Sequence, residues 1–310
     1  MDLTLIHNPD AGDAHPTRDE LIALAREAGY RVRYQDSDAK DYTRTLDDPG
    51  DLVLVAGGDG TVAKVAKALV GHDVPLAIIP LGTANNIAFT LGVRGSPREI
   101  IHGLRDSSVK TLDIGRASAP WGPAFFVESA GTGFFGSLLR RVSGQAATAE
   151  EQGTSPVARA ARNFLRALDA YRPTRHHVLA DGEDISHTYL LVEAMNIRSI
   201  GPRMVLAPDA DPGDGRLDLI LLRDAHRRLF AEYLAELAAG AAAAPPFERR
   251  CVRHVSMVWD PADGHLDDAP WPEGGSTALG PDSRSAPTVH IEIVESPVRV
   301  LVPGTATGSQ

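Results

Sequence analysis

The stretch Leu52–Ala68, LVLVAGGDGTVAKVAKA, holds the residues best suited to chemistry. Three glycines, Gly57, Gly58 and Gly60, surround the carboxylate of Asp59, and Thr61 follows. An apolar run, Leu52–Ala56, precedes them. Val62, Val65, Ala66 and Leu69 then recur at helical spacing, so the segment reads as strand, tight turn and helix. Glycines at such a turn let backbone N–H groups approach an anion, and the helix N-terminus adds positive potential. Asp59 would repel a bare phosphate, which implies a divalent cation held between the two. Thr61 caps the helix or bonds a phosphate oxygen. The glycines alone also fit an ordinary βα turn.

Other segments carry further signals. Gly82-Thr83-Ala84-Asn85-Asn86 follows an apolar strand and opens a helix, making a second anion-friendly turn. Asp209, Asp211, Asp214 and Asp218 form an acidic loop, but an EF-hand would need an acid at its twelfth position, where Ile220 stands. Gly131–Gly136, GTGFFG, matches a dinucleotide fingerprint, yet the following segment breaks at Ser143-Gly144 and no βαβ unit continues. Asp181-Gly182-Glu183 reads as a hairpin turn. His176, His177, His254 and His265 lack metal spacing and read as surface or satisfied core histidines.

Gly57–Thr61 together with Pro80–Ala88, PLGTANNIA, resembles the signature of the diacylglycerol kinase, sphingosine kinase and NAD kinase superfamily. The second segment is similar to the Gly-Thr-x-Asn-Asp of its lipid-kinase branch. The resemblance implies phosphorylation of a lipid hydroxyl, on diacylglycerol or a long-chain base, with ATP as donor and Mg2+ as the ion. It implies a nucleotide-binding set of Asn8, Ser37, Gly57, Gly58, Asp59, Gly60, Thr61, Gly82, Thr83 and Asn85, with Asn86 toward the acceptor and Asn85-Asn86 facing a cleft.

Asn8-Pro9-Asp10-Ala11-Gly12 resembles the family's first nucleotide-contacting turn, with Ala11 replacing its hydroxyl residue; a plain Asx-turn fits too. Pro208–Asp218 resembles a family segment that binds a structural magnesium, which makes Asp214 and Asp218 implied ligands; a solvated turn is the other reading. His265–Pro272, HLDDAPWP, resembles the family's Asp-Gly-Glu-Pro segment, whose glutamate is the proposed general base. A one-to-one overlay puts Ala269 at that glutamate, so Asp268 becomes the candidate base, beside Asp59 as the other catalytic residue. Asn86 stands where aspartate is the commoner family residue. These two departures keep a non-catalytic or weakly active nucleotide- and lipid-binding homologue open. An NAD kinase shares the first glycine turn, but that family's Asn-Glu and Ser-Thr-Gly-rich segments are not found here. A dehydrogenase rests on the Gly131 fingerprint alone.

These residues need elements to position them. Alternating strands and helices over residues 1–110 predict an α/β, Rossmann-like N-terminal domain. Thr17-Arg18-Asp19-Glu20 and Ser96-Pro97-Arg98-Glu99 are capping boxes, the first opening a helix stopped by Gly29. A short helix is expected near Asp41–Leu46, a strand over Val74–Ile79 and a helix over Asn86–Leu91. After Thr111 come short apolar runs, Leu112–Ile114, Phe125–Ser129, Val178–Ala180, Tyr189–Ala194, Met204–Leu206, Leu217–Leu222 and Val252–Trp259, which predict an antiparallel β-rich sandwich. Helices from Ser155 to about Tyr171 and over Arg223–Ala239 interrupt it. The expected division is 1–111 with 296–310 for the nucleotide and 112–295 for the acceptor; the return of the tail is implied by the resemblance. Loops are expected between Ser143 and Thr154 and over Glu273–Pro287, and a frayed end over Gly304–Gln310.

Composition bounds the rest. A net charge of -10 argues against nucleic acid and against simple adsorption to anionic lipid. No apolar run reaches the roughly 20 residues of a membrane span, and the N-terminus reads as a strand rather than a signal peptide. The single cysteine, Cys251, reads as a small buried residue and points to a reducing compartment. The expectation is a cytoplasmic enzyme in transient peripheral contact with a membrane-borne lipid acceptor, with a homodimer open.

Overall fold

The computed structural model describes residues 1–12, 15–40, 42–142, 155–241, 243–245, 247–273 and 287–304. The loop expected between Ser143 and Thr154, the interior of that expected at 273–287 and the tail beyond Gly304 lie outside them. The chain divides into two compact units, Met1–Ile114 with Glu295–Gln310, and Gly115–Val294.

The first unit runs β1 (Asp2–His7), α1 (Arg18–Glu27), β2 (Arg31–Asp36), a 3-10 turn over Tyr42–Asp47, β3 (Leu52–Gly57), α2 (Asp59–Ala68), β4 (Leu76–Pro80), α3 (Asn86–Leu91), α4 (Pro97–Gly103) and β5 (Ser108–Leu112). Its sheet has the order β2-β1-β3-β4, then the chain's last strand Val298–Val302, then β5. The first five strands are parallel and β5 is antiparallel. Parallel strands covered on both faces read as unbroken apolar runs, and all six residues of β3 are buried. Each fully buried Leu or Val there contributes about 1.5–3 kcal/mol. Both capping boxes form. The helix expected near Asp41 is a 3-10 turn, and Asp41 itself is outside the described residues. The Leu112–Ile114 run belongs to this unit, because Leu112 pairs with Val298.

The second unit contains β6 (Gly115–Ala119), β7 (Gly122–Phe126), β8 (Ser129–Gly133), α5 (Phe134–Val142), α6 (Pro156–Leu168), β9 (Thr174–His176), β10 (Val178–Ala180), β11 (Glu183–Asp184) and β12 (His187–Met195). There follow β13 (Ser199–Ile200), β14 (Met204–Val205), β15 (Leu217–Arg223), α7 (Arg227–Ala238), β16 (Glu248–Val252), β17 (His254–Val258), β18 (Gly264–Leu266), β19 (Ala269–Pro270) and β20 (Thr288–Ile293). One sheet has the order β11-β10-β17-β20-β6-β7 and a second β16-β15-β12-β8-β18-β19. Phe126, Tyr189, Val192, Leu219, Met257, Trp259 and Ile291 form a core from both sheets. On its other face the second sheet meets α5, α6 and α7 through Phe134, Phe164, Ile220 and Phe230. Successive side chains of β12 point to opposite faces, so it serves both cores, with a shift of register between Tyr189 and Leu191.

One helix is an addition and one expectation fails here. The helix α5 was not expected: its apolar residues directly follow a glycine-rich strand and give no start signal. Cys251 is exposed on β16 rather than buried.

Candidate functional site

The residues expected at the nucleotide site collect at one end of the first unit's sheet. Ser37 follows β2, Asn8 follows β1, Gly58 follows β3, and Leu81-Gly82 follow β4. These are the carboxyl ends of four adjacent parallel strands. With the order β2-β1-β3-β4, the chain leaves β1 toward one side and β3 toward the other, so their boundary is a topological switch point, the usual place for a ligand crevice in such sheets. Asn8 bridges it: its N–H donates to Ala56 O at 2.9 Å, and its Nδ2 donates to Thr61 Oγ1 at 3.5 Å. Its Oδ1 accepts the Asp10 N–H, so the Asx-turn is present as well. Ser37 is tied in by its N–H to His7 O at 2.8 Å.

The two glycine turns lie against each other, backbone to backbone. A Cβ on Gly82 would stand 2.6 Å from Gly58 Cα, and one on Gly57 2.9 Å from Thr61 Cβ, so neither position has room for a side chain. Gly60 differs: a Cβ there would meet nothing within 4 Å, and the residue is exposed. Gly58 is the N-cap of α2 and offers no side-chain cap. Thr61 therefore sits inside the first turn, and the expectation that it caps the helix is corrected. Thr83 is exposed at the tip of the second turn.

Asp59 and Asn85 have structural partners that the sequence did not reveal. Asp59 Oδ1 accepts the Ile87 N–H at 3.0 Å, which fixes the start of α3 from the start of α2. Asn85, in the left-handed region at φ 52°, donates from Nδ2 to Gly82 O at 2.6 Å and accepts the Gly82 N–H on Oδ1 at 2.8 Å. Its amide closes the second turn. Asn86 is 2 % exposed. A half-exposed carboxylate between a glycine cradle and a helix N-terminus fits a magnesium ion carried by a phosphate.

In the second unit Asp267 and Asp268 form the two-residue turn between β18 and β19. Asp267 is buried, at φ 51°. Its Oδ1 accepts the N–H groups of Val127 and Glu128 at 2.8 and 2.7 Å, and its own N–H donates to Ser129 O. Asp267 is thus a fixed structural residue, while Asp268 and Ala269 are exposed. Beneath the turn lies a buried pair that the sequence left among core histidines: His265 Nε2 is 2.9 Å from Glu193 Oε1. Burial pulls the His265 imidazole down, but Glu193 and the Asp267 carbonyl outweigh it, so its pKa is raised.

In the acidic loop an arginine holds the buried carboxylate. Asp218 is buried and its Oδ1 accepts from Arg249 Nε at 2.6 Å, while Arg249 also pairs with Asp209 at 3.1 Å. Asp214 is exposed, and its Oδ1 accepts the Arg216 N–H. Burial raises the Asp218 pKa against the pull of Arg249. An arginine already supplies the positive charge, and among the described residues no group of three or more potential ligands assembles.

The Gly131 fingerprint also has a packing explanation. Both neighbours of β8 are antiparallel, so no βαβ unit exists. A Cβ on Gly131 would stand 2.0 Å from Glu193 Oε2, and one on Gly136 1.9 Å from Asp263 O.

Comparison with known proteins adds family, relative and structural matches. Residues 2–117 match the diacylglycerol kinase catalytic domain, and residues 143–265 match the YegS C-terminal NAD kinase beta sandwich-like domain. The chain is 31% identical over 230 residues to a Pseudomonas aeruginosa protein named "Probable lipid kinase YegS-like", covering 71% of both chains. It is 30% identical to a diacylglycerol kinase of Mycobacterium tuberculosis, over 62% of this chain and 61% of that one, so the match spans about three fifths of that relative's length. A solved structure of a diacylglycerol kinase from Bacillus anthracis superposes with a TM-score of 0.70 at 18% identity, covering 98% of each chain, and so shares the fold.

Proposed function

This chain belongs to the family of YegS-like lipid kinases and diacylglycerol kinases, and from that premise we propose that it transfers the γ-phosphoryl group of ATP to a hydroxyl of diacylglycerol or a related lipid. The observation that supports this most is the convergence of Ser37, Asn8, Gly58–Thr61 and Gly82–Thr83 on the carboxyl ends of four neighbouring parallel strands, across the switch point. Phosphoryl transfer asks a protein mainly for positioning and for charge neutralisation.

The amides at the start of α2 receive the phosphates, and Gly60 leaves open space for their approach. Asn8 and Thr61 hold the turn to β1, and Thr83 flanks it. Asp59 would hold the Mg2+, which neutralises charge on the transferred group. Asp268 accepts the proton of the acceptor hydroxyl, a contribution of roughly 10²–10⁴ in rate. Among the described residues no helix is long and apolar enough to cross a membrane. The lipid is met at a membrane surface in transient contact, from the cytoplasmic side.

The test is a panel of lipid hydroxyl acceptors in mixed micelles, with NAD in parallel, given labelled ATP and magnesium. Labelled diacylglycerol or long-chain base supports the reading. Label on NAD moves the chain to the NAD kinase branch. ATP binding without transfer to any acceptor makes it a non-catalytic homologue.

A further inference from the structure

We propose that Glu193 and His265 form a one-proton pair that positions the Asp267–Asp268 turn for the acceptor hydroxyl; this rests on the lipid-kinase reading above. The two residues face each other across three strands. Glu193 of β12 and His265 of β18 are both in register with Gly131 of the intervening β8. Because Gly131 has no side chain, the carboxylate reaches over it to the ring: Nε2 lies 2.9 and 3.0 Å from the two Glu193 oxygens. Both side chains are 0 % exposed, and the edge-on ring of Phe135 closes the site at 4.7 Å between centroids.

The other ring nitrogen fixes the proton count. His265 Nδ1 is 2.9 Å from the Asp267 carbonyl oxygen, which only accepts. The carboxylate at Nε2 also only accepts when ionised. Both contacts are satisfied by an imidazolium beside a carboxylate, which holds one proton more than a neutral ring with an ionised carboxylate. The titratable groups facing the ring are Glu193 from β12 and Asp267 from the turn itself.

The pair bears on the turn because it grips Asp267 at its carbonyl. The same residue is held at its side chain by Val127 and Glu128 and at its N–H by Ser129. A non-glycine residue in the left-handed region persists only where its surroundings over-determine it. The residue so fixed is the direct neighbour of Asp268. A buried charged pair is weak evidence for stability by itself, whereas a pair that anchors a strained residue at the end of a turn sets where the next carboxylate points. Glu193 and His265 are positioning residues in this sense, acting through Asp268.

The test uses the full chain. In 15N-histidine NMR, with His265 assigned by its loss in His265→Gln, both ring nitrogens should carry protons at pH 7; a His265 that titrates near pH 6.5 with the surface histidines overturns the pair. In His265→Gln the Asp267 amide should exchange at least about tenfold faster while β15 amides stay unchanged; equal exchange at Asp267 overturns the positioning role. Glu193→Gln gives the same readouts if His265→Gln does not fold. In turnover, His265→Gln should lower kcat about tenfold or more with KM within about threefold, and should add little in an Asp268→Asn background. Equal losses in both backgrounds overturn the coupling. Absence of transfer by the wild-type chain would sink the lipid-kinase reading, while the NMR and exchange results would still decide the pair.

Discussion

The Asp59 carboxylate accepts the backbone N–H of Ile87 at 3.0 Å, so the acid of the first glycine turn caps the helix that opens from the second. One residue therefore carries this structural contact beside the catalytic role proposed above, and a simple deletion mixes them. Asp59→Ala is expected to abolish phosphoryl transfer and to cost about 1 kcal/mol through the lost cap. Asp59→Asn keeps an acceptor for Ile87 and removes the charge. It should melt close to wild type and still fail to transfer phosphate. Asp59→Asn turnover within about threefold of wild type would remove Asp59 from the nucleotide site.

Gly82 and Gly60 should respond in opposite ways to alanine. At Gly82 the new methyl meets the Gly58 backbone, so Gly82→Ala is expected to cost about 1–3 kcal/mol and to weaken nucleotide binding. Gly60→Ala meets no protein atom, and should keep or raise the melting temperature. Its effect falls on ATP binding alone, because the methyl occupies space left for phosphate. Calorimetric titration with ATP analogues, paired with melting curves, separates the two.

Arg249 should hold the acidic loop in place of a metal. Arg249→Met leaves Asp218 buried without its partner and is expected to cost about 2–3 kcal/mol. A chelator should leave the melting temperature of the wild-type chain unchanged. A chelator-dependent fall in melting temperature, lost in Asp214→Ala, would restore the magnesium.

The Asp267–Asp268 turn separates a fixed residue from an exposed one. Asp268→Asn should cut turnover at least about tenfold if it is the base. Ala269→Glu should leave turnover flat or lower. Gain of activity in Ala269→Glu, with Asp268→Asn neutral, would mark a degraded kinase.

His265 gives a pH signature. Its pKa is raised in the folded chain, so its stabilising contribution is fully present below the unfolded value of about 6.5 and is lost as pH rises through the folded value. The stability gap between wild type and His265→Gln should therefore be widest in mild acid and shrink as pH is raised above neutrality. Denaturant titrations across that range measure it, and a gap independent of pH would contradict the raised value.

The sequence by itself determined the first unit's layout. Its inner strands β3 and β4 are buried on both faces and so read as apolar runs, two of its helices carry local caps at Thr17 and Ser96, and its glycine turns are contiguous strings. Each signal lies within a few residues of the element it specifies. The chain also pointed to where a phosphate would be received, because Gly57–Thr61 and Gly82–Asn85 are short local motifs.

Only the tertiary structure decided what the flagged residues touch. Asp59 meets Ile87, 28 positions on. Arg249 meets Asp218, 31 positions before it, in a loop whose acidic residues alone gave no sign of an arginine partner. Glu193 meets His265 over a separation of 72, through a gap left by a third strand's glycine. Such contacts follow from sheet order and register, which no local pattern encodes. The Gly131 fingerprint shows the same limit from the other side: a glycine string that reads as a nucleotide turn is, in an antiparallel sheet, the space kept clear for a buried carboxylate.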